Sequence, residues 1–280
     1  MGFKDILVCI DRSPAAAARL DAALQLAATF DAHLTALALV AEPFIPAVVG
    51  AYVPDAILDQ QRRDAERDAE ALLERAVETA TRAGRSLEPR RETGTLDRLP
   101  ALLARQSRHV DITLVGQPDP GQPQSLDDLL LEAAFMYSGR PALVVPYVGA
   151  RAIPPQRVLV AWDGSAEATR AVHDALPLLM RAVSVTVLIV GAEDLSNNVG
   201  EAPGADLGAH LARHRIQVDV STVPRGSLRI GQVILAQAGE LATDLIVMGA
   251  YGHSRLRQSL FGGVTREVLA RMPVPVLLSR

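Results

Sequence analysis

The sequence has few of the residue types on which much protein chemistry depends. It contains one cysteine, Cys9, and one lysine, Lys4, among 280 residues, and aromatic residues make up only 4%. A single thiol cannot form an internal disulfide, and a P-loop lysine, Schiff base or lysine general base has no position beyond Lys4. This cysteine usage fits a reducing compartment, so we expect a cytoplasmic protein.

Long apolar runs and an excess of positive charge are also missing. The apolar start of the chain reaches an acid at Asp11 without a small-residue cleavage site, which argues against a signal peptide. The stretch 34–49 is interrupted by Glu42, Pro43 and Pro46, and it falls short of the about 20 residues of a membrane span. The net charge of −4 argues against a protein that coats a nucleic-acid duplex. We therefore expect no membrane and no nucleic-acid partner.

What the chain does contain is an internal repeat. Three pairs of segments match in the same order: ILVCIDRS (6–13) with VLVAWDGS (158–165), DITLVG (111–116) with DLIVMG (244–249), and PALVVP (141–146) with PVLLSR (275–280). The length is also about twice the commonest domain size. We predict two domains, 1–148 and 158–280, joined by a linker over 149–157.

Within each repeat, continuous apolar runs alternate with helical patterns. Runs that are apolar at every position are typical of strands buried on both faces of a parallel sheet. Right-handed crossovers through the helices then give an open sheet. The sequence therefore predicts an α/β fold of two tandem doubly wound, Rossmann-like domains, each with a parallel sheet of about five strands.

Helix signals lie between the predicted strands. Ser13 or Ser165 can each cap a following helix, such as one over 14–28. A longer amphipathic helix is predicted over 55–83, because apolar residues recur there at every third or fourth position. The second half instead has a Gly-, Asn- and Pro-rich loop over 191–204, which could form a lid.

The segment that bears the chemistry follows the fourth predicted strand of the second half. Gly249 ends that strand, Gly252 follows, and Arg255 adds positive charge. A turn of four residues then opens the next helix: Gly262, Gly263, Val264 and Thr265. Glycines let the backbone approach a phosphate, and the free N–H groups of a helix N-terminus attract an anion. The alternative is that these glycines only make tight turns and a close helix contact.

At these residues the chain resembles the universal stress protein family, in its tandem two-domain type. ATP-binding members of that family carry Gly-x2-Gly-x9-Gly-(Ser/Thr) after the fourth strand and an Asp at the end of the first. Gly249, Gly252 and Gly262 match this spacing. Gly263 departs from it, since the family has Ser or Thr there, although Thr265 keeps a hydroxyl two positions on. The resemblance covers both repeats.

The resemblance implies a site for ATP, with or without Mg²⁺, in the second half. Asp163 and Gly249 would then lie near the ribose, and Val190, at the end of the second strand, near the adenine. Gly252 and the turn at 262–265 would hold the phosphates.

The resemblance also has an implication for assembly. The last strands of the two halves, 141–146 and 274–279, are short apolar edges that need cover. Family resemblance suggests that these edges meet, which makes the two halves a pseudo-dimer. Whole chains could then form a homodimer through other surfaces.

The first half lacks the glycine pattern. Gly116 is followed by Gln-Pro-Asp-Pro-Gly, which has no second glycine at the required spacing, and Ala-Phe-Met (134–136) stands where the phosphate turn is expected. Acidic side chains nearby would repel phosphates: Asp127, Asp128 and Glu132. Asp11 is therefore expected to be structural.

Other residues give weaker signals. His210 and His214 are four apart and share a helical face, but a stable metal site needs a third or fourth ligand, so no metal site is predicted. Trp162 is interpreted as a packing residue. The thiol of Cys9 has no basic residue on its strand to activate it.

Three functions of different classes stay open. The leading hypothesis is a nucleotide-binding stress or signalling protein with at most slow ATP hydrolysis, because the pattern offers phosphate binding without an evident general base. The second is a ligand-free dimerisation or scaffold protein. An ATP-consuming enzyme of related fold is disfavoured, because that class would carry an SGGxDS-type loop where this sequence reads DGSAEA.

Overall fold

The computed structural model describes residues 2–43, 54–119, 121, 125–150, 152–192, 204–250 and 263–280. In these residues ten strands alternate with helices. The strands are β1 Asp5–Ile10, β2 His33–Ala41, β3 Glu88–Gly94, β4 Ile112–Gly116, β5 Ala142–Val145, β6 Arg157–Ala161, β7 Ser184–Val190, β8 Val218–Val223, β9 Leu245–Gly249 and β10 Val276–Ser279. The α-helices are α1 Ala16–Phe30, α2 Asp55–Arg82, α3 Leu99–Ser107, α4 Leu126–Glu132, α5 Ala166–Leu179, α6 Ala205–Arg213, α7 Ile230–Glu240 and α8 Gly263–Arg271, and a π-helix, Ala133–Tyr137, continues α4.

All ten strands belong to one sheet. Its order is β3-β2-β1-β4-β5-β10-β9-β6-β7-β8, and every neighbouring pair is parallel except β5 with β10. Each half therefore contributes five parallel strands in the same doubly wound order, which confirms the predicted fold class. In such a sheet the crossovers change direction between the first and fourth strands of each half, and a crevice opens there at the carboxyl ends.

Burial explains which segments became inner strands. Ile6, Leu7 and Val8 of β1 are fully buried, as the continuous apolar run predicts. The outermost strand of the first half, β3, instead reads EPRRETG and alternates between exposed and partly buried residues. Charged side chains on such an edge discourage pairing with a further strand.

The two halves join where β5 and β10 pair in antiparallel register. Val276 lies opposite Val144, Leu277 opposite Leu143 and Leu278 opposite Ala142. All six side chains are at most 1% exposed. A second link is a buried hydrogen bond of 2.7 Å, in which the side-chain amide of Gln117 donates to the carbonyl of Leu269. The prediction that the last strands of the two halves meet is confirmed.

The helix predictions had different outcomes. Ser165 caps α5, because its Oγ accepts a hydrogen bond from the Ala168 N–H (3.1 Å). The corresponding cap by Ser13 was wrong: a turn over 13–15 delays α1, and Ala15 takes the N-cap position without a side-chain bond. The long helix was predicted correctly as α2. The loop at 191–204 falls mainly outside the described residues.

The β5–β10 seam leads to a prediction for the separated halves. Cutting the chain at the expected linker leaves two fully buried apolar edges open to water, so residues 1–148 and 158–280 produced as two chains should associate with each other. Size-exclusion chromatography of the mixture against each half alone checks this. Two stable, soluble monomers without mutual affinity would show that the seam does not hold the halves together.

Candidate functional site

The crevice of the second half lies at the carboxyl ends of β6, β7 and β9. Ala161, the last residue of β6, pairs with Leu188 of β7 on one side and with Met248 of β9 on the other. Because the three strands are parallel neighbours, the residues that follow them reach the same edge of the sheet. Three of the sequence-predicted site residues lie at this edge: Asp163, Val190 and Gly249.

Asp163 holds the turn between β6 and α5. Its Oδ1 accepts a hydrogen bond from the Ser165 N–H (3.0 Å), and Ser165 in turn caps α5. Within the described residues the second carboxylate oxygen, Oδ2, has no hydrogen-bond partner. Asp163 thus has a structural role and still offers one acceptor at the crevice.

Val190 and Gly249 form the apolar and close-packed parts of this edge. Val190 ends β7 and is buried in the same hydrophobic cluster as Met248. A Cβ on Gly249 would lie only 2.5 Å from the backbone nitrogen of Ala168 in α5. Glycine is therefore required at 249 by the approach of the helix, whether or not a ligand binds, as the alternative interpretation of the glycines expected.

The phosphate-turn residues are described only in part. Gly252, Arg255 and Gly262 lie outside the described residues. Gly263, Val264 and Thr265 form the first turn of α8, so the predicted helix start is present. Gly263 is exposed, and Thr265 is only 3% exposed.

The first half has an arginine in its crevice that the sequence analysis missed. Arg19 of α1 is 2% exposed, its Nε donates to the carbonyl of Cys9 (2.7 Å), and its Nη2 donates to Oδ2 of Asp11 (2.5 Å). One sequence feature could have indicated this: Arg19 is a lone arginine on the otherwise apolar face of α1 that also carries Ala22, Ala23 and Leu26.

Arg19 and burial have opposing effects on the pKa values of the two neighbouring groups, Asp11 and Cys9. Partial burial alone would raise the pKa of Asp11, but the Arg19 guanidinium and hydrogen bonds from Ser13 outweigh it and lower that pKa. Burial dominates at Cys9 and raises the pKa of its thiol to about 12, despite the opposing charge of Arg19. The thiol therefore stays protonated at neutral pH, in agreement with its interpretation as unreactive.

The position of the missing phosphate turn in the first half needs a correction. Residues 134–136, Ala-Phe-Met, were expected at that turn, but they lie in the π-helix that continues α4. The helix that follows β4 starts earlier, at Leu126, because Ser125 caps it, and Asp127 and Asp128 lie in its first turn. Carboxylates thus stand at the helix start itself, where the second half has Gly263.

The two helical histidines have a third neighbour. His214 of the turn after α6 and His173 of α5 both lie against the His210 ring, at centroid distances of 4.9 and 5.3 Å. The Nε2 of His210 is buried and has no hydrogen-bond partner among the described residues, and burial followed by the neighbouring histidines lowers the pKa of His210. In the part of the chain that the structure describes, no group of three or more histidine, cysteine or acidic residues could hold a metal ion.

Two further features concern packing and membranes. Trp162 is partly buried and packs against the larger hydrophobic cluster, which confirms its interpretation as a packing residue.

None of the described helices combines the length and the apolar character needed to span a bilayer.

Comparison with known proteins agrees with the two similar halves of the sheet and their similar crevices. The family model described as the universal stress protein family matches residues 2–127 and, a second time, residues 155–280. The chain belongs to the universal stress protein family. The two matches also confirm the tandem organisation that the resemblance implied.

Individual relatives are distant. A universal stress protein of Synechocystis sp., Slr1230, is 28% identical over 129 residues, which span 44% of this chain and 42% of that relative. The crystal structure of a universal stress protein from Archaeoglobus fulgidus has a TM-score of 0.73 at 19% identity, covering 99% of this chain and 96% of that one. A functionally unknown protein from Pseudomonas aeruginosa has a TM-score of 0.61 at 16% identity, with coverages of 99% and 92%.

The two glycines of the described site should respond differently to a methyl group. Gly249→Ala places a Cβ against the backbone of α5 and should lower the free energy of unfolding by about 2 kcal/mol. At Gly263 a Cβ meets no described residue within 4 Å and the backbone is outside the left-handed region, so Gly263→Ala should change stability by less than about 0.5 kcal/mol. Urea unfolding of both variants measures the difference, and equal effects would contradict the packing role of Gly249.

Proposed function

We propose that this universal stress protein binds ATP or a related adenine nucleotide in its second half, and that it acts in stress response or signalling without strong catalysis. The observation that carries the proposal is the edge shared by β6, β7 and β9. It combines a carboxylate oxygen on Asp163 that has no hydrogen-bond partner among the described residues, a buried apolar residue at Val190 and, from the sequence, a glycine pattern that leads into the start of α8.

Each part of this edge suits one part of a nucleotide. Oδ2 of Asp163 can accept a hydrogen bond from a ribose hydroxyl, since its Oδ1 is already engaged by the α5 turn. Val190 offers apolar surface to the adenine. The first N–H groups of α8 and the positive end of its dipole favour phosphate, and Arg255 would add charge from the preceding segment.

The first half differs from this arrangement at its strand-end carboxylate and at its helix start. Its strand-end carboxylate, Asp11, is engaged by Arg19, and the first turn of α4 holds Asp127 and Asp128. Acidic residues at a helix start oppose phosphate binding. We therefore propose one nucleotide per chain.

Catalysis is not part of the proposal. The residues assigned to the nucleotide supply hydrogen bonds, apolar surface and positive potential, and the proposal gives none of them the role of a general base. The proposal allows slow hydrolysis of ATP and leaves open a role for Mg²⁺. Another universal stress protein of known structure is a complex with cAMP, so cAMP belongs among the nucleotides to be tested beside ATP.

A ligand-free scaffold is the second candidate. It is favoured by Gly249, whose glycine the packing of α5 already requires, and by the seam between β5 and β10, which makes the two halves one unit. Under this candidate neither half binds a nucleotide at millimolar concentration.

The first functional prediction concerns stoichiometry, with the two strand-end aspartates as a matched pair. Calorimetric titration with ATP should give one site per chain. Asp163→Ala should weaken binding by about tenfold or more, since hydrogen bonds to charged groups contribute about 1.5–3 kcal/mol. Asp11→Ala removes the equivalent turn in the first half and should leave ATP binding unchanged.

Two further outcomes separate the candidates. Gly252→Asp should abolish binding, because it adds bulk and negative charge where the sequence pattern places phosphate. Two equal sites in the unmodified chain would contradict the assignment to the second half alone, and no binding at millimolar ATP or cAMP would favour the scaffold.

The second functional prediction uses the departure from the family pattern at Gly263. A serine hydroxyl there can donate to a phosphate oxygen, so Gly263→Ser should tighten ATP binding by about tenfold, or about 1.4 kcal/mol. We expect the position to accept a side chain, since a Cβ there meets no described residue within 4 Å. Gly263→Ala is the control, because it adds the Cβ without the hydroxyl. If the folded serine variant binds no better than the alanine variant, this turn does not contact phosphate.

A further inference from the structure

The crevice of the first half is, we infer, a guanidinium-binding site that the chain fills with its own Arg19. The crevice has the same place in the fold as the proposed nucleotide site, at the carboxyl ends of β1 and β4. In a doubly wound sheet this is where a ligand would lie. The inference concerns the first half alone and does not depend on nucleotide binding in the second.

The guanidinium bridges the two strands at the point where a ligand would do so. Nε donates to the carbonyl of Cys9 at the end of β1, and Nη2 donates to the Asp11 carboxylate that follows it. On the other side Nη1 lies against Gly116 at the end of β4, where a Cβ would come within 2.3 Å of it. A side chain at 116 would therefore displace the guanidinium from this position, whereas at 249 it would meet the backbone of a helix.

In the described part of the second half, the position equivalent to Arg19 holds no arginine. Arg19 and Ala171 stand at equivalent positions, eight residues after Asp11 and Asp163. α1 begins two residues later than α5 relative to these aspartates. The later start leaves room beside Gly116 for the guanidinium, whereas the first turn of α5 packs directly on Gly249.

The residues around Arg19 favour a cation over an anion. A cavity of about 270 Å³ opens beside it, with Asp11, Asp127, Gln117 and Tyr147 among the residues that line it. Burial and the charge of Asp11 raise the pKa of Asp127, so the carboxylates already compete with one another for positive charge. A phosphate would add to this repulsion, and a cation relieves it.

The arrangement of acceptors selects a guanidinium among cations. The Cys9 carbonyl and the Asp11 carboxylate receive two different nitrogens of one planar group. A guanidinium presents these donors in a fixed fork, whereas an ammonium is a compact point charge on a flexible stem. The site therefore recognises shape as well as charge.

Chemical rescue in the full-length chain tests the inference. Arg19→Ala removes the side chain beyond Cβ and should lower the thermal midpoint by about 5 °C. N-ethylguanidinium, which replaces the missing atoms, should restore at least half of that loss with saturation at about 20 mM. It should shift the unmodified protein by less than about 1 °C, because Arg19 already occupies the site.

Two controls distinguish a specific site from a general salt effect. Ethylammonium carries the same charge without the fork and should rescue Arg19→Ala much less than ethylguanidinium does. Adding Asp11→Asn to Arg19→Ala should remove the rescue by ethylguanidinium, because the charged acceptor is lost. Equal rescue by both cations, rescue that survives Asp11→Asn, or no rescue would each overturn the inference.

A further variant decides the matter if Arg19→Ala does not fold. Arg19→Lys keeps the charge and most of the length of the side chain, so it is the milder change. Because lysine cannot reproduce the fork, its thermal midpoint should fall by several degrees. An unchanged midpoint would mean that any cation serves at this position, and the guanidinium site would be refuted.

Discussion

The antiparallel pairing of β5 with β10 is the contact on which the rest of the molecule depends. Each half ends in a strand whose side chains are buried on both faces, and such a strand cannot be left at an open edge. The pairing covers both edges and reverses the strand direction between the halves. The carboxyl ends of the two sets of strands therefore face opposite edges of the ten-stranded sheet, and the two crevices cannot share one ligand.

The two crevices are separate, and different side chains lie in each. The first half places a buried arginine between the ends of β1 and β4, with carboxylates at the start of α4. The second half keeps the equivalent position small, with Ala171, and leaves Oδ2 of Asp163 without a partner among the described residues. Relative to the strand-end aspartates, α1 starts two residues later than α5, and this difference accompanies the change from Arg19 to Ala171 among the described residues.

Sequence patterns predicted the features that depend on periodicity and repetition. The matched strands follow from apolar runs whose burial is set by the sheet as a whole, and the long helix α2 follows from apolar residues at every third or fourth position. The pairing of the last strands was implied by the family resemblance. Features that depend on one tertiary contact were missed. The failure of Ser13 to cap α1 and the position of residues 134–136 in a π-helix depend on how a helix end fits its neighbours, which no local pattern encodes. The burial of Arg19 had a local signal in the apolar face of α1, but its partners at the strand end are set by the tertiary fold.

The glycines show how differently one residue type can be required. Gly116 makes room for a guanidinium and Gly249 for a helix backbone, so a glycine after the fourth strand has a packing cause in both halves. Such a glycine therefore says little about phosphate by itself. Gly263 differs, because nothing in the described structure requires it: it is exposed, free of strain and without a neighbour for a Cβ. A change in ATP binding when serine replaces Gly263 therefore reports on the ligand and not on the fold.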